Sequence, residues 1–361
     1  MNSRSGCRGS LMLLLLAGLL MAAYPLHAQF NYSNVASIDD MTLNGDARKM
    51  DDRIRLVPAA QAKRGSVWFN TKQRITDGFS STFAFQISEP GSKQPWVPGA
   101  DGFAFVLQNS SVYEGSLGGG IGYADIRNSL AVEFDTYDNN PDSNPEPNGN
   151  HISVHSRGLE PNDADHRTSL GWTTRIPDLK KGARHTAMIR YLPGRLEVFL
   201  DDLSKPVLTV AIRLDTLLKL DDGKSWMGFT AATGGSWANF DLFSLNSEVI
   251  LNIRNILFDY DKAVLKKESL PELKKIVDIL KREPDLLIEI RGHTDNQGSD
   301  DYNIRLSQSR ADAVRQHLLR NGIRAARVQA NGYGATMPID DNGTDAGRAL
   351  NRRVEARLFR E

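Results

Sequence analysis

The residue pattern of this chain changes near residue 250, and that change constrains the fold more than any other feature. From Val67 to Phe243, short runs of alternating apolar and polar residues are separated by glycine, asparagine, aspartate and proline, which is typical of strands joined by turns. From Leu251 onward, strand-like runs alternate with longer segments of helical periodicity. A chain of 361 residues is also longer than one ordinary core needs. We therefore expect an all-β sandwich followed by an α+β domain, close together because no linker rich in proline or serine separates them.

The beginning of the chain has the organisation of an export signal. Arg4 and Arg8 precede the apolar run LMLLLLAGLLMAA, and the small residue Ala28 closes the segment. This run is shorter than the about 20 apolar residues that cross a bilayer, so cleavage is favoured over membrane anchoring. No later run is long enough, so we expect no membrane-spanning helix in the mature chain. The predicted division is a signal peptide at residues 1–28, the sandwich at 29–248 and the second domain at 249–361.

Charge and cysteine content exclude several kinds of function. Lysine plus arginine and aspartate plus glutamate each total 44, so no net charge favours nucleic acid or an anionic membrane surface. The single cysteine, Cys7, precedes the apolar run, whereas lipid attachment would need a cysteine just after it. A mature chain without cysteine has no disulfides, no cysteine-based zinc site and no thiol nucleophile.

The strand-like run LAVEFDTY places two acids on one face. Because side chains alternate along a strand, Glu133 and Asp135 point to the same side, opposite Val132 and Phe134. The polar residues that follow include Asn139, Asp142, Glu146 and His151. Hard cations such as Ca²⁺ prefer oxygen ligands, and a histidine nitrogen suits a transition metal. A cation site is one interpretation, and a solvated strand end with a polar loop is the other.

Several segments of the first region resemble the legume-type (L-type) lectins, in the same order and spacing over most of residues 30–248. They are WFNTKQRITDGFSSTFAF, ADGFAFVL, GGGIGY, LAVEFDTYDNNPDSNPEPNGNHISV and MGFTAATGGSW. The resemblance implies a two-sheet, concanavalin-like jelly roll without catalytic activity. It also implies a Ca²⁺ ion, and often a Mn²⁺ ion, beneath a shallow sugar site.

The resemblance assigns metal ligands residue by residue. Glu133, Asp135 and His151 match the ligands of the transition metal. Asp135, the carbonyl group of Tyr137 and Asn139 match the ligands of Ca²⁺. We therefore expect Ca²⁺, with Mn²⁺ or a similar transition metal as the second ion.

One position departs from the family pattern. The family has a second bridging aspartate five residues before the histidine, and this chain has Glu146 there. Either Glu146 is the ligand, or Asp142 replaces it, or the metal geometry is altered. Ca²⁺ is the firmer expectation.

The same resemblance places a sugar site at Asp101, Gly119 and Asn139. Asp101 would accept hydrogen bonds from two neighbouring hydroxyl groups, and Asn139 would donate from its amide. Gly119 would let the backbone approach the sugar ring. Trp237 or Tyr137 could stack on the apolar face of the sugar, although core packing explains either ring equally well.

A catalytic alternative uses the same strand. Glu133, Asp135 and Asp138 resemble the acidic triplet of laminarinase-type glycoside hydrolases, which share the jelly-roll architecture. Retaining hydrolysis needs two carboxyl groups about 5 to 5.5 Å apart. Residues five apart on a flat strand point to opposite faces, and the third acid is an aspartate where those enzymes have glutamate. We therefore favour a binding protein over an enzyme.

The second region has two helical patterns around a strand. LPELKKIVDILKR carries its apolar residues on one face, and LLIEIRG is a buried strand that ends at Gly292. A second helix is predicted from Tyr302 to Arg320, before the helix-ending pair Asn321 and Gly322. The buried face of this helix is predicted to contain Ser307, Ala311, Val314 and Leu318. VQANGYG and NRRVEARLF supply further strands.

Asp295 lies in the polar turn between the strand and the second helix. Arg310 lies within that helix, beside its packed face. Alone, each has an ordinary explanation, as a turn residue and as an arginine whose stem covers apolar surface. The surrounding segments resemble the OmpA-like peptidoglycan-binding domain over roughly residues 250–361. These segments are FDYDKAVL, EIRGHTDNQGSDDYNIRLSQSRADAV, NGYGATMPIDDN and GRALNRRVEARL.

This second resemblance implies a domain that binds the peptidoglycan stem peptide without cleaving it. Its ligand, meso-diaminopimelate, ends in an ammonium and a carboxylate group. Asp295 would bind the ammonium and Arg310 the carboxylate, in a charge-assisted bidentate contact. The other expected site residues are Thr294 and Asn296, through backbone amides, and Asn303, through ordering of the turn. Arg352 and Arg353 are expected to form structural ion pairs.

Together these features predict a non-enzymatic exported protein of a Gram-negative envelope, in the periplasm or associated with the outer membrane. It would bind peptidoglycan with one domain and a carbohydrate or glycoconjugate with the other. The alternatives are a wall-anchored hydrolase and an outer-membrane barrel protein, since some proteins join this second domain to a barrel. Barrel strands need about 10 residues each, and the strands predicted here are shorter.

Overall fold

The computed structural model describes most of the chain from residue 30 onward. The described residues are 30–32, 34–35, 39–93, 98–110, 116–139, 146–253, 256, 258, 262–282, 284 and 286–359. The predicted signal peptide, Cys7 and Asp142 lie outside these residues.

The strands of the first region are β1 Phe30–Tyr32, β2 Met41–Gly45, β3 Arg48–Lys49, β4 Ile54–Val57, β5 Arg64–Phe69, β6 Gln73–Arg74, β7 Phe79–Ser92, β8 Gly102–Gln108, β9 Ser129–Asp135, β10 His151–His155, β11 Ser169–Thr173, β12 Arg184–Leu192, β13 Arg195–Leu200, β14 Leu208–Val210, β15 Lys224–Ala232 and β16 Ser236–Ile253. A short helix, α1, spans Leu214–Leu217. The later elements are α2 Leu270–Arg282, β17 Leu287–Gly292, α3 Asp300–Arg320, β18 Val328–Gly332, α4 Asp345–Asn351 and β19 Val354–Phe359.

Two antiparallel sheets face each other in the first region. The front sheet has the order β11-β10-β9-β8-β15-β5-β2, and the back sheet contains β14-β13-β12-β7-β16. Aromatic side chains from both sheets meet between them, as in aligned sheet packing. The Phe83 and Phe229 ring centres are 4.9 Å apart, and Phe103 stacks on Phe134 at 4.7 Å. This arrangement confirms the predicted β-sandwich.

Strand β9 is buried on both faces. Val132 and Phe134 point into the core between the sheets, as the alternation predicts. Glu133 and Asp135 point to the outer face of the front sheet, yet they are only 2 % and 1 % exposed. Residues 116–126 cover them, and Tyr123 in this loop belongs to a second small apolar cluster. The two acids are therefore enclosed rather than solvated.

The second region follows the predicted order of strands and helices. Helix α2 buries Leu273, Ile276, Val277 and Leu280. Helix α3 begins two residues earlier than predicted because the Ser299 hydroxyl caps it, accepting from the Tyr302 amide at 3.3 Å. Its buried residues include Ser307, Ala311, Val314 and Leu318, as expected. Strand β17 lies between β18, which is parallel to it, and β19, which is antiparallel. No helix among the described residues is long and apolar enough to cross a membrane.

The two regions share one sheet. Along one edge of β16 lies β7, and along its other edge β4, β1 and β19 follow one another. Arg357 of β19 pairs with Glu248 of β16, and Arg195 of β13 donates to the Ile339 carbonyl. The predicted boundary between residues 248 and 249 thus falls inside one strand. The regions are joined by backbone hydrogen bonds in addition to the chain itself.

Candidate functional site

The pairing of β9 with β10 brings three predicted metal ligands together. Asp135 lies opposite His151 in the antiparallel register. Glu133, Asp135 and His151 present ligand atoms that all lie within 4.8 Å of one another. The Nε2 atom of His151 is 3.5 Å from Oε1 of Glu133. The three side chains are buried, so the cluster is an interior site.

Neighbouring groups fix the orientation of these ligands. Tyr123 donates its hydroxyl proton to Oε2 of Glu133, and Ser153 donates to Oε1 at 2.9 Å. The Nδ1 atom of His151 is 2.8 Å from the Asn148 carbonyl, which can only accept. Nδ1 therefore carries a proton and Nε2 faces the acids, the arrangement that supports a metal-binding histidine.

Glu146 behaves differently from the three converging residues. Its Oε2 accepts from the Asn139 backbone amide at 3.0 Å, and its Oε1 accepts from the Asn139 side-chain amide at 3.3 Å. Glu146 thus holds Asn139 in place, and it is not part of the converging group. Asp135 uses Oδ1 to accept from the Tyr137 amide at 2.7 Å.

The carboxyl groups of this cluster differ in their pKa values. Those of Asp135 and Glu146 are raised, whereas that of Glu133 is lowered, because burial opposes its ionisation less than the charges of His155 and His151 favour it. Burial, followed by the charges of Glu133 and Glu146, holds the pKa of Asp135 well above its usual range. Burial and the charge of Glu133 raise the pKa of Glu146 to about 7. Burial opposes ionisation of His151 as well, but the hydrogen bond and charge of Glu133 raise its pKa. The surroundings thus do not balance full ionisation of all three acids, and the oxygen-rich donor set with one imidazole fits a divalent cation that would.

The predicted sugar-binding residues surround a glycine turn. A Cβ atom on Gly119 would lie 2.8 Å from the Asn139 side-chain amide, so a larger residue there would displace Asn139. A Cβ atom on Gly118 would be 3.9 Å from Oδ2 of Asp101. This turn, Gly118–Gly120, therefore connects Asp101 to Asn139. A cavity of about 510 Å³ opens beside Gly119 and Asn139.

Asp101 is a buried acid with an unused oxygen. It is 3 % exposed, and its Oδ2 has no hydrogen-bond partner among the described residues. Burial, with a smaller contribution from the charge of Glu146, raises its pKa to about 7. The peptide bond between Ala100 and Asp101 is cis. This buried, unpartnered oxygen lies beside Gly118 and Gly234.

The two aromatic candidates take different positions. Trp237 is half-buried, and its ring packs against Gly91, where a Cβ atom would lie 2.3 Å from the indole nitrogen. Tyr137 is half-buried at the end of β9. The structure favours a packing role for Trp237.

Tyr123, Ser153 and His155 support Glu133 but were not among the predicted site residues. Tyr123 lies in the quoted motif GGGIGY, and Ser153 and His155 share a strand face with His151 at spacings of two and four. That spacing was the available signal for Ser153 and His155. The contact with Tyr123 depends on how the covering loop folds.

In the second region, Asp295 forms an ion pair with Arg352. Its Oδ2 is 2.6 Å from Nη1 of Arg352, and its Oδ1 accepts from the Gln297 amide at 3.1 Å. Arg310 donates from Nε to the Lys262 carbonyl at 3.2 Å, and its guanidinium lies over the Phe258 ring. Arg353 pairs with Glu355 at 2.6 Å, in agreement with the expected structural role of both late arginines.

The remaining predicted residues divide into buried and exposed groups. The Thr294 amide donates to the Gly334 carbonyl at 2.9 Å. The Thr294 hydroxyl and the Asn303 side-chain amide are buried without a hydrogen-bond partner among the described residues. Asn296 is exposed.

Comparison with family models identifies two segments of the chain. The model described as the legume lectin beta-barrel domain matches residues 32–247, and the OmpA family model matches residues 257–352.

The similar proteins of known sequence match the second region. Outer membrane porin F of Pseudomonas fluorescens is 47 % identical over 102 residues, which cover 28 % of this chain and 31 % of the porin. The probable lipoprotein YiaD of Escherichia coli is 40 % identical over 111 residues, 30 % of this chain and 51 % of that protein. The peptidoglycan-binding protein ArfA of Mycobacterium tuberculosis is 41 % identical over 100 residues, which cover 28 % of this chain and 31 % of that protein. This chain thus spans about half or less of the length of these relatives.

The similar solved structures match the first region. A lectin from Bauhinia forficata in complex with GalNAc has a TM-score of 0.50 and 24 % identity, over 61 % of this chain and 96 % of the lectin. The metal-free lectin I-B4 from Griffonia simplicifolia has a TM-score of 0.50 and 22 % identity, over 61 % and 98 %. At these identities the likeness concerns the fold.

Proposed function

This chain belongs to the legume L-type lectin family through residues 32–247 and carries an OmpA domain over residues 257–352, and from that premise we propose that it is a non-enzymatic protein of the bacterial envelope. It binds a carbohydrate through its first region and the diaminopimelate-containing stem peptide of peptidoglycan through its second. The matched relatives include outer-membrane proteins of Gram-negative bacteria, which supports an envelope location.

The carbohydrate proposal is supported chiefly by the glycine turn between Asp101 and Asn139. Oδ2 of Asp101 would accept hydrogen bonds from sugar hydroxyls, and Gly119 would admit the ring close to the backbone. Asp135, Asn139 and the Tyr137 carbonyl would hold Ca²⁺, while Glu133, Asp135 and His151 would hold a transition metal. When bound, these ions supply the positive charge that the carboxyl cluster lacks and fix the loop that contains Asn139.

A glycan array tests this part of the proposal. The protein is applied with Ca²⁺ and with chelator, beside an Asp101→Asn variant and an Asp202→Asn control at an exposed aspartate. We expect glycan binding that requires Ca²⁺, is lost in Asp101→Asn and is retained in the control. Binding that survives both chelator and Asp101→Asn contradicts the proposed site. Release of reducing ends from β-glucans that depends on Glu133 would replace the lectin function with hydrolysis.

The peptidoglycan proposal is supported by two buried polar groups of the same segment as Asp295. The Thr294 hydroxyl and the Asn303 amide are buried without hydrogen-bond partners among the described residues, and a zwitterionic ligand would use them. Arg352 is 47 % exposed at its side chain, so the ligand ammonium can replace it beside Asp295 at low cost. Arg310 would receive the ligand carboxylate.

Co-sedimentation with purified cell-wall sacculi tests this assignment. Asp295→Ala and Arg310→Ala are each expected to remove binding, because each leaves one ligand charge unmatched at a cost of about 2 to 5 kcal/mol. Arg305→Ala, at an exposed arginine on the same helix, is the matched control and should bind normally. Normal binding by both site variants would refute the assignment of Asp295 and Arg310.

A further inference from the structure

Two imidazole rings, rather than one, adjoin Glu133, and a third packs against those two. His151, Ser153 and His155 share one face of β10, and Ser153 lies directly opposite Glu133 on β9. The two histidines therefore flank Glu133 along the neighbouring strand. A third ring comes from His166, whose centre is 5.2 Å from that of His151 and 5.9 Å from that of His155. The family resemblance accounts for His151 alone.

His155 is committed to supporting Glu133. Its Nε2 is 2.9 Å from the Ser153 hydroxyl oxygen, and that hydroxyl donates to Oε1 of Glu133 at 2.9 Å. A hydroxyl has one proton, so the Nε2–H group of His155 is the donor in the first contact. His155 therefore acts through Ser153 as a positioning residue, and the nitrogen nearest the cluster is already in use.

His166 is placed to reach an ion held by His151. In a tetrahedral zinc site, ligand atoms about 2.0–2.2 Å from the ion are about 3.4 Å apart, and two ring centres are about 5 Å apart. The 3.5 Å between His151 Nε2 and Glu133 Oε1 and the 5.2 Å between the His151 and His166 rings both match these values. A turn of the His166 ring about its side-chain bonds would complete the set, and the ring is only partly buried.

The turn that contains His166 is anchored on both sides. Asp165 precedes it and accepts from the Arg167 amide at 2.9 Å, which fixes the 3₁₀ turn His166–Thr168. On its other side the His166 ring lies 5.6 Å from the Trp172 ring of β11. The backbone turn and the ring contacts therefore hold His166 beside the cluster.

We propose that His166 is a fourth ligand of the transition metal, so that Glu133, Asp135, His151 and His166 form a site that prefers Zn²⁺ to Mn²⁺. Two imidazoles with two carboxylates suit the tetrahedral preference of Zn²⁺, whereas Mn²⁺ prefers oxygen ligands and binds most weakly among the first-row divalent ions. This inference rests on the proposed metal site and changes the identity of its ion.

Competitive metal titration of the whole protein tests the proposal. The metal-free protein is titrated with Zn²⁺ and with Mn²⁺, each at fixed excess Ca²⁺, and the ratio of the two affinities is compared between variants. His166→Gln is expected to lower that ratio at least tenfold, because it removes a nitrogen ligand that Zn²⁺ favours. His155→Gln should weaken both ions alike, since it removes only support for Glu133. His317→Gln, on α3 in the second region, should leave both affinities unchanged.

Co²⁺ provides a second readout that does not depend on affinity. Four-coordinate Co²⁺ absorbs visible light much more strongly than six-coordinate Co²⁺, so the wild-type spectrum should be intense and the His166→Gln spectrum weak. Tighter binding of Mn²⁺ than Zn²⁺, or an unchanged affinity ratio and Co²⁺ spectrum in His166→Gln, would overturn the role of His166. If the wild-type protein binds no transition metal at all, this inference fails together with the proposed transition-metal site, whereas loss of the His166 effect alone leaves that site intact.

Discussion

Around Asp135, buried carboxyl groups face one another, whereas around Asp295 a buried carboxyl group faces the guanidinium of Arg352. In the first region, the charges of Glu133 and Glu146 add to burial in raising the pKa of Asp135. In the second region, the 2.6 Å contact between Asp295 and Arg352 supplies the opposite charge from within the chain. The acids of the first site are arranged as a divalent cation would require, whereas the second site already balances its carboxylate with a guanidinium from within the chain.

Removal of metal should have the largest effect and should be confined to the first region. If free Ca²⁺ is 100-fold above its dissociation constant, chelation lowers the free energy of unfolding by about 3 kcal/mol. Calorimetry with and without chelator measures the change, and hydrogen exchange locates it in β9 and β10 rather than in α3. Equal loss of protection in both regions would break the comparison.

The substitution Asp135→Asn should change the free energy of unfolding in opposite directions with and without metal. Asp135→Asn keeps an oxygen for the Tyr137 amide but removes a buried acid whose ionised form the metal-free site disfavours. In chelator it should raise the free energy of unfolding, by on the order of 1 kcal/mol, and in Ca²⁺ it should lower it. Asp138→Asn, at an exposed aspartate nearby, should change neither value. The same sign for Asp135→Asn in both conditions would mean that the acids do not require a cation.

Acid should destabilise the second region through His293. This residue is 1 % exposed, and burial followed by the charge of Arg353 lowers its pKa to about 3. In the unfolded chain His293 has a pKa of about 6.5, so below that pH it binds a proton that it does not bind in the folded chain. Its contribution to the free energy of unfolding is therefore complete above pH 6.5 and is lost as the pH falls toward 3. Between pH 7 and pH 5 the loss is about 2 kcal/mol.

Urea unfolding of the wild-type protein and His293→Gln at both pH values measures this contribution. The variant should lose less stability on acidification than the wild type by roughly the same 2 kcal/mol. His317→Gln is the control, because His317 is less enclosed than His293. Equal losses in wild type and His293→Gln would show that the charges near Arg353 do not exclude the proton.

Removal of Arg352 should have only a small effect on stability. It tests whether Asp295 contacts the ligand directly or only holds Arg352 in place. Arg352→Ala should lower the free energy of unfolding by only about 1 kcal/mol, since the arginine is half exposed. Sacculus binding should be retained or strengthened, because Asp295 is then open to the ligand ammonium. Arg324→Ala, at an exposed arginine, is the control for stability. Loss of sacculus binding in Arg352→Ala would make Arg352 a ligand contact and Asp295 its support.

Local patterns predicted the elements well, and tertiary contacts explain what they did not predict. Alternation along β9 placed Glu133 and Asp135 on one face, and the apolar spacing of α3 gave its buried residues. Helix α4, seven residues long, was not predicted, because so short a segment shows little periodicity.

The partners of Asp295 and Glu133 could not be predicted, because they come from distant segments of the chain. Asp295 meets Arg352 only because β19 lies beside β17, a pairing between segments about 60 residues apart in the chain. Similarly, the hydroxyl of Tyr123 reaches Glu133 only through the path of the covering loop. Neither contact leaves a local signature in the sequence.

Strand β16 has a mechanical consequence. Its first residue, Ser236, follows Gly234 beside Asp101, and its last residue, Ile253, pairs with Val354, next to the Arg352 and Asp295 pair. The two candidate sites therefore lie at opposite ends of one strand of 18 residues, at most about 60 Å long. A pull between a held glycan and a held cell wall would run along this strand. Its hydrogen bonds to β7 and β19 would be sheared together instead of opened one by one, so the fold is suited to bearing tension between two surfaces.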